Sequence, residues 1–181
     1  MPGWRVEVQV FPEFREALSV YWLRRLTKQA LVHGAAVVAR ESRSTSFSYV
    51  ISLVVADDDT VHRLNREYRG IDQTTDVLAF PLDNLEGMVG ECIVPMNAPE
   101  HLFVNPPGED LYVGEVIISY PQCIKQATTR GHSVDNEVAL LITHGMLHLF
   151  GYDHSNIEEE REMKYREVKS LMSLGIKAVY E

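Results

Sequence analysis

Residues able to do chemistry concentrate in one stretch, Thr143-His144-Gly145-Met146-Leu147-His148-Leu149-Phe150-Gly151-Tyr152-Asp153-His154, which carries three histidines and two glycines. The run before it, Val138-Ala139-Leu140-Leu141-Ile142, is apolar and free of glycine and proline, so it reads as a buried helix. On a helix, residues four apart lie on one face about one turn apart, so His144 and His148 can aim both imidazoles at one point. Gly151 supplies a residue at ease in the left-handed conformation that ends many helices. The chain can reverse there and return His154 toward the first two. Three neutral imidazoles with an open fourth position are the ligand set of a catalytic Zn2+, water filling the vacancy. The expected cofactor is therefore one Zn2+ per chain, with another divalent metal as the alternative, since imidazole also suits Ni, Cu and Fe. The competing reading is an amphipathic helix with two stacked histidines and a third on a surface turn. The third histidine, placed just past a helix-stopping glycine, favours the metal.

The elements that must position this stretch follow from periodicity. Trp4, Val6, Val8 and Val10 alternate with polar residues as a half-buried strand ended by Pro12. Leu18, Trp22, Leu26 and Ala30 give a long amphipathic helix from Phe14 to about Val38, with Arg24, Arg25 and Lys28 on its polar face. After a polar loop from Ser42 to Ser48, the near-continuous apolar run Phe47 to Val55 reads as a central strand. Asp57, Asp58 and Asp59 cap a helix running to about Tyr68. Arg69 precedes Gly70 at that helix end, so its guanidinium sits at a loop. It can clamp a phosphate with two parallel hydrogen bonds, satisfy the last helical carbonyls or pair with Asp76. Val77 to Pro81 is a short edge strand closed by proline. Residues 82–110 form an extended loop rich in proline and glycine, a possible lid. Leu111 to Ser119 is a further strand. A helix with Pro121 in its first turn follows, stopped by Gly131, and Ser133 caps the histidine helix. Asn156 to Leu174 closes the chain as a helix whose expected inner face is Ile157, Arg161, Lys164, Tyr165, Val168, Leu171 and Met172, with Met163 as core filling. This order predicts an α+β fold, a small mixed sheet of about four strands covered by helices, with a central metal-binding helix.

The histidine spacing equals that of the metzincin peptidase signature H-E-x-x-H-x-x-G-x-x-H, but the glutamate that activates water there is Gly145 here. A peptidase reading thereby loses its general base. The full pattern H-G-x-L-H-L-x-G-Y-D-H resembles the YbeY family, bacterial single-strand-specific endoribonucleases. A second match lies in Leu64-Asn65-Arg66-Glu67-Tyr68-Arg69-Gly70 and Thr75-Asp76-Val77-Leu78-Ala79-Phe80-Pro81, similar to the family's L-N-x-x-Y-R-G and T-D-V-L-S-F-P. Ala79 stands where the family has serine, so no hydroxyl acts at that position. Gly114-Glu115-Val116 stands where the family has G-D-I.

The resemblance implies a metal-dependent endoribonuclease acting in 16S rRNA 3′-end maturation and ribosome quality control. It implies metal ligands His144, His148 and His154, and catalytic roles for His144 and for Arg69 as a phosphate clamp. Glu115 and Asp153 are candidates to orient a histidine or to sit beside the metal-bound water; a plain strand-end carboxylate is the other reading of Glu115. The general base stays open among metal hydroxide, Glu115, Asp153 and the RNA 2′-OH. Expected partners are single-stranded ribosomal RNA and the ribosome or its small subunit, with no membrane and no DNA. Two other functions compete: a metzincin-like zinc peptidase or hydrolase, and a non-catalytic ribosome-assembly factor with a structural metal.

The 181 residues with 45% hydrophobic content suit one domain spanning 1–181. Two cysteines, Cys92 and Cys123, lack any paired spacing and read as buried free thiols. No charged-then-apolar leader opens the chain and no run is long enough to span a bilayer, so the cytoplasm is expected. A formal charge of -9 excludes a nonspecific polyelectrolyte binder. RNA must be handled through a local basic cleft.

Overall fold

The computed structural model describes residues 3–34, 48–82, 110–154 and 156–176. Four strands, β1 (Gly3–Val10), β2 (Ser48–Ala56), β3 (Val77–Pro81) and β4 (Asp110–Ser119), form one sheet in the order β1-β2-β4-β3. The first three neighbours in that order run parallel and β3 is antiparallel to β4, so the sheet is mixed. The helices are α1 (Val20–Gly34), α2 (Asp58–Arg69), α3 (Tyr120–Arg130), α4 (Val134–Leu149) and α5 (Ile157–Ser173). This is the expected α+β architecture, with β2 central and β3 at an edge. No helix among the described residues is long and apolar enough to cross a membrane. The extended loop lies outside the described residues from 83 to 109, and so does the polar loop from 35 to 47.

Strand alternation sorts side chains onto two faces. Val6, Val10, Tyr49, Ile51, Leu53, Val55, Val113, Val116 and Ile118 share one core with Leu23, Leu26 and Leu31 of α1 and with Val138, Ile142, Met146 and Leu149 of α4. On the other face Ala56, Leu78 and Ile117 pack with Val61 of α2, and Val54, Leu64 and Phe80 border them. The histidine helix α4 therefore lies on one side of the sheet and α2 on the other. α4 touches β3, β4, α1, α3 and α5.

Two sequence expectations change. The helix expected from Phe14 begins at Val20: Pro12–Phe14 is a 3-10 turn, and the Ser19 hydroxyl accepts the Trp22 N–H at 3.4 Å where the α-helix starts. Local proline and serine chemistry thus delays the helix. The inner face expected for α5 holds at Leu171, Val168 and the core-filling Met163 and fails at Ile157, Arg161, Lys164, Tyr165 and Met172. Met163, Glu167, Ser170 and Leu171 are buried, whereas Ile157, Tyr165 and Met172 are exposed. The inward stripe mixes the apolar Met163 and Leu171 with the polar Glu167 and Ser170, so apolar periodicity alone does not trace it.

Candidate metal centre

Ser133 starts α4 as expected, its hydroxyl accepting the Asn136 N–H at 3.2 Å. Aspartate and glutamate occupy the first turn. The helix ends in a tight reversal in which Gly151 N–H donates to the His148 carbonyl at 3.0 Å and Tyr152 N–H to the Leu147 carbonyl at 3.2 Å. Gly151 has φ 77°, the left-handed geometry the sequence required of it. This turn brings His154 back over the helix end.

The three histidines meet. The Nε2 atoms of His144 and His148 lie 3.0 Å apart, and one ring nitrogen from each of His144, His148 and His154 can be chosen so that all lie within 4.8 Å of one another. Ring centroids are 4.6, 5.5 and 6.1 Å apart. A tetrahedral ion with bonds of about 2.0–2.1 Å places its ligand nitrogens about 3.3 Å from one another. The donor set thus fits a divalent cation. Burial, then the neighbouring His144 and His154, push the His148 imidazolium down to about pKa 4. At neutral pH this ring is therefore unprotonated, the form a cation needs. The Tyr152 backbone bonds the same imidazole. His144 is held through Nδ1, which lies 2.6 Å from Glu167 Oε1, leaving Nε2 to face the shared point.

Gly145 explains why the metzincin glutamate is missing. A Cβ built there would meet Val116 Cγ1 at 2.6 Å and Val77 Cγ2 at 3.0 Å. Any side chain at 145 points into the β3–β4 surface rather than toward the histidines. The glycine lets α4 lie close on the sheet.

The other expected residues divide. Asp153 lies beside the third histidine, its Oδ1 accepting the His154 backbone N–H at 2.8 Å and lying 3.9 Å from His154 Nδ1. Glu115 does not share the histidine face. It pairs in register with Phe80 and Ser52, whereas Val116, its neighbour, is the residue that meets Gly145. Its side chain is therefore on the α2 side, where burial raises its carboxyl pKa. The carboxylate that does contact a histidine ring nitrogen at close range is Glu167, which the sequence reading missed. The only signal for it was a glutamate in register with Met163, Ser170 and Leu171.

Arg69 ends α2 and is exposed. Its pairing with Asp76 does not form. The Asp76 carboxylate accepts from Val77 N–H at 2.9 Å, Thr75 Oγ1 at 3.2 Å and Gln126 Nε2 at 2.8 Å. Tyr68 packs edge-on against Phe80, with centroids 5.4 Å apart, so this end of α2 lies against β3. Val77 of the same strand abuts Gly145 from the opposite face. Among the described residues no hydrogen bond or ion pair joins Arg69 to the three histidines.

The chain is 35% identical over 172 residues to a protein of Roseiflexus castenholzii named Endoribonuclease YbeY, covering 94% of this chain and 93% of that one. It is 40% identical over 146 residues to the protein of the same name from Halalkalibacterium halodurans, covering 81% and 83%. The solution structure of a Thermotoga maritima protein shares the fold, with TM-score 0.51 and 19% identity over 94% of this chain and 92% of that one. The family model described as Endoribonuclease YbeY matches residues 22–175, which includes α2, the sheet from β2 onward, the three histidines and α5. The chain belongs to the YbeY endoribonuclease family.

Proposed function

We propose that this chain is a zinc-dependent, single-strand-specific endoribonuclease that matures the 3′ end of 16S rRNA and takes part in ribosome quality control. It acts in the cytoplasm as one domain on the small ribosomal subunit. The observation that carries the reading is the convergence of His144, His148 and His154, three candidate ligands among the described residues where a closed structural site would need four. The family membership supplies the RNA substrate class.

His144, His148 and His154 would hold a zinc ion, which when bound would supply Lewis acidity and activate water near neutral pH. The chain's own residues do the rest. His144, tied down by Glu167, and His148, tied to the Tyr152 backbone, keep their unprotonated nitrogens on one point. Arg69 stands at the end of α2 beside β3, the edge strand whose other face carries α4. RNA lying along this edge would meet the histidines on one side and the guanidinium on the other. There Arg69 donates two parallel hydrogen bonds to the phosphate, whose equatorial oxygens gain charge during displacement. Asp153, whose Oδ1 accepts the His154 backbone N–H beside the cluster, would be one candidate to take a proton from the attacking group. Gly145 faces the sheet and offers no proton donor to a leaving amine, so the site suits phosphodiesters better than peptides.

The test is cleavage of single-stranded RNA, double-stranded RNA and casein by metal-loaded protein, with His148→Ala as control. Only single-stranded RNA is expected to be cut, and only by the wild type. Arg69→Lys keeps the charge and loses the planar fork. Its single-turnover rate is expected to fall by about 10²–10³-fold, with melting temperature and zinc content unchanged. Near-normal cleavage by the metallated variant would remove Arg69 from the mechanism.

A further inference from the structure

A carboxylate buried in an apolar core is costly unless something specific pairs with it. Glu167 is 4% exposed and sits on the inward stripe of α5 between Met163 and Leu171. Its Oε1 lies 2.6 Å from Nδ1 of His144, the first histidine of the cluster. The preceding residue in the chain, Arg166, lies 4.6 Å above the ring of Tyr152, which sits in the turn between His148 and His154. Two consecutive residues of α5 thus grip the helix that carries two of the histidines and the turn that delivers the third.

We propose that Glu167 is a positioning residue for the metal centre, accepting the Nδ1 proton of His144 and so fixing Nε2 as the ligand atom and the ring in its binding orientation. The proposal rests on the reading of the three histidines as metal ligands and extends it to the helix behind them. An imidazole with its Nδ1 proton engaged by a carboxylate is a stronger Nε2 donor, and its ring cannot turn. Neither Glu115 nor Asp153 can serve: the first is on the other face of the sheet, and the second binds the His154 N–H. A carboxylate that merely tied α5 to α4 would stabilise the fold with or without metal. A positioning carboxylate acts on cation affinity and on the tautomer of His144.

The test uses the full chain and zinc alone. Metal-free wild type and Glu167→Gln are compared for melting temperature and for zinc affinity by competition with a chromophoric chelator. Glu167→Gln is expected to bind zinc about 10–100-fold more weakly than wild type. The metal-free melting temperatures should stay close. The second measurement needs no variant: imidazole nitrogen NMR of the metal-free wild type at neutral pH should show His144 protonated on Nδ1. Equal zinc affinity in a folded Glu167→Gln variant, or His144 protonated on Nε2, would overturn the role of Glu167 and leave the metal centre standing. If wild type itself fails to bind zinc, the metal centre falls and this inference with it.

Discussion

At the scale of single residues, Gly145 shows packing and chemistry meeting at one position. Alanine there would gain about 1 kcal/mol of helix propensity over glycine. The Cβ would, however, press within 2.6 Å of Val116 Cγ1, a β-branched side chain fixed in the sheet. Overpacking of this kind costs about 1–3 kcal/mol, so Gly145→Ala is expected to be the less stable protein in urea unfolding. Glu115 offers the opposite case. Its folded pKa is raised by burial, so the folded state holds its proton more tightly than the unfolded chain. The cost of the charged form is absent below the unfolded pKa and complete once pH exceeds the folded pKa. Glu115→Gln should therefore melt higher than wild type at neutral pH, and the gap should close as the solution is acidified into the ordinary carboxylate range. A constant gap at every pH would show that charge is not the cause. The histidine cluster was legible at this scale because helix period and a positive-φ glycine fix its geometry locally. Which face of the sheet Glu115 occupies was not, because it depends on strand register and on an irregularity between Val50 and Ile51 that no local pattern announces.

Between elements, charged contacts join the helices around the site. The junction of α3 and α4 is closed by Glu137, fully buried, which lies 2.5 Å from Arg130 Nη1 and 2.6 Å from His132 Nε2. Breaking a buried pair leaves an uncompensated charge and costs about 3–5 kcal/mol, less where one partner is wet. Arg130 is 40% exposed. Arg130→Met should accordingly lower stability by about 2 kcal/mol in denaturant unfolding. A cost near zero would mean that His132 alone satisfies the carboxylate. Helix caps were readable from sequence: Asp57 and Ser133 accept backbone N–H groups as their residue types suggest. The inward face of α5 was not, since apolar periodicity points to Ile157 and Met172 while the buried stripe holds a glutamate. Only the position of His144 on a neighbouring helix makes that burial sensible.

Across the whole molecule, the chain carries a net charge of -9 yet belongs to a family that acts on RNA. Long-range attraction cannot gather the substrate, so cationic groups must be concentrated where the chain needs them. Arg66 and Arg69 occupy the last turn of α2, the end that meets the edge strand β3, with Arg63 one turn earlier. Of the basic cluster on α1, Arg24 donates to the Val6 carbonyl at 3.2 Å, while Arg25 and Lys28 are exposed. The order of strands and helices was legible because hydrophobic period and turn residues agree along the chain. The opposition of α2 and α4 across the sheet was not, because it is set by long-range strand pairing.

The central claim, that three histidines hold the cation on which RNA cleavage depends, is tested most directly by titration. Zinc is added stepwise to metal-free wild-type protein while single-turnover cleavage of a short single-stranded RNA is followed. The rate should rise linearly and level off at about one equivalent of zinc per chain. His148→Ala should stay at the metal-free rate throughout. Cleavage that is unchanged by zinc, or equal in the variant, would contradict the account.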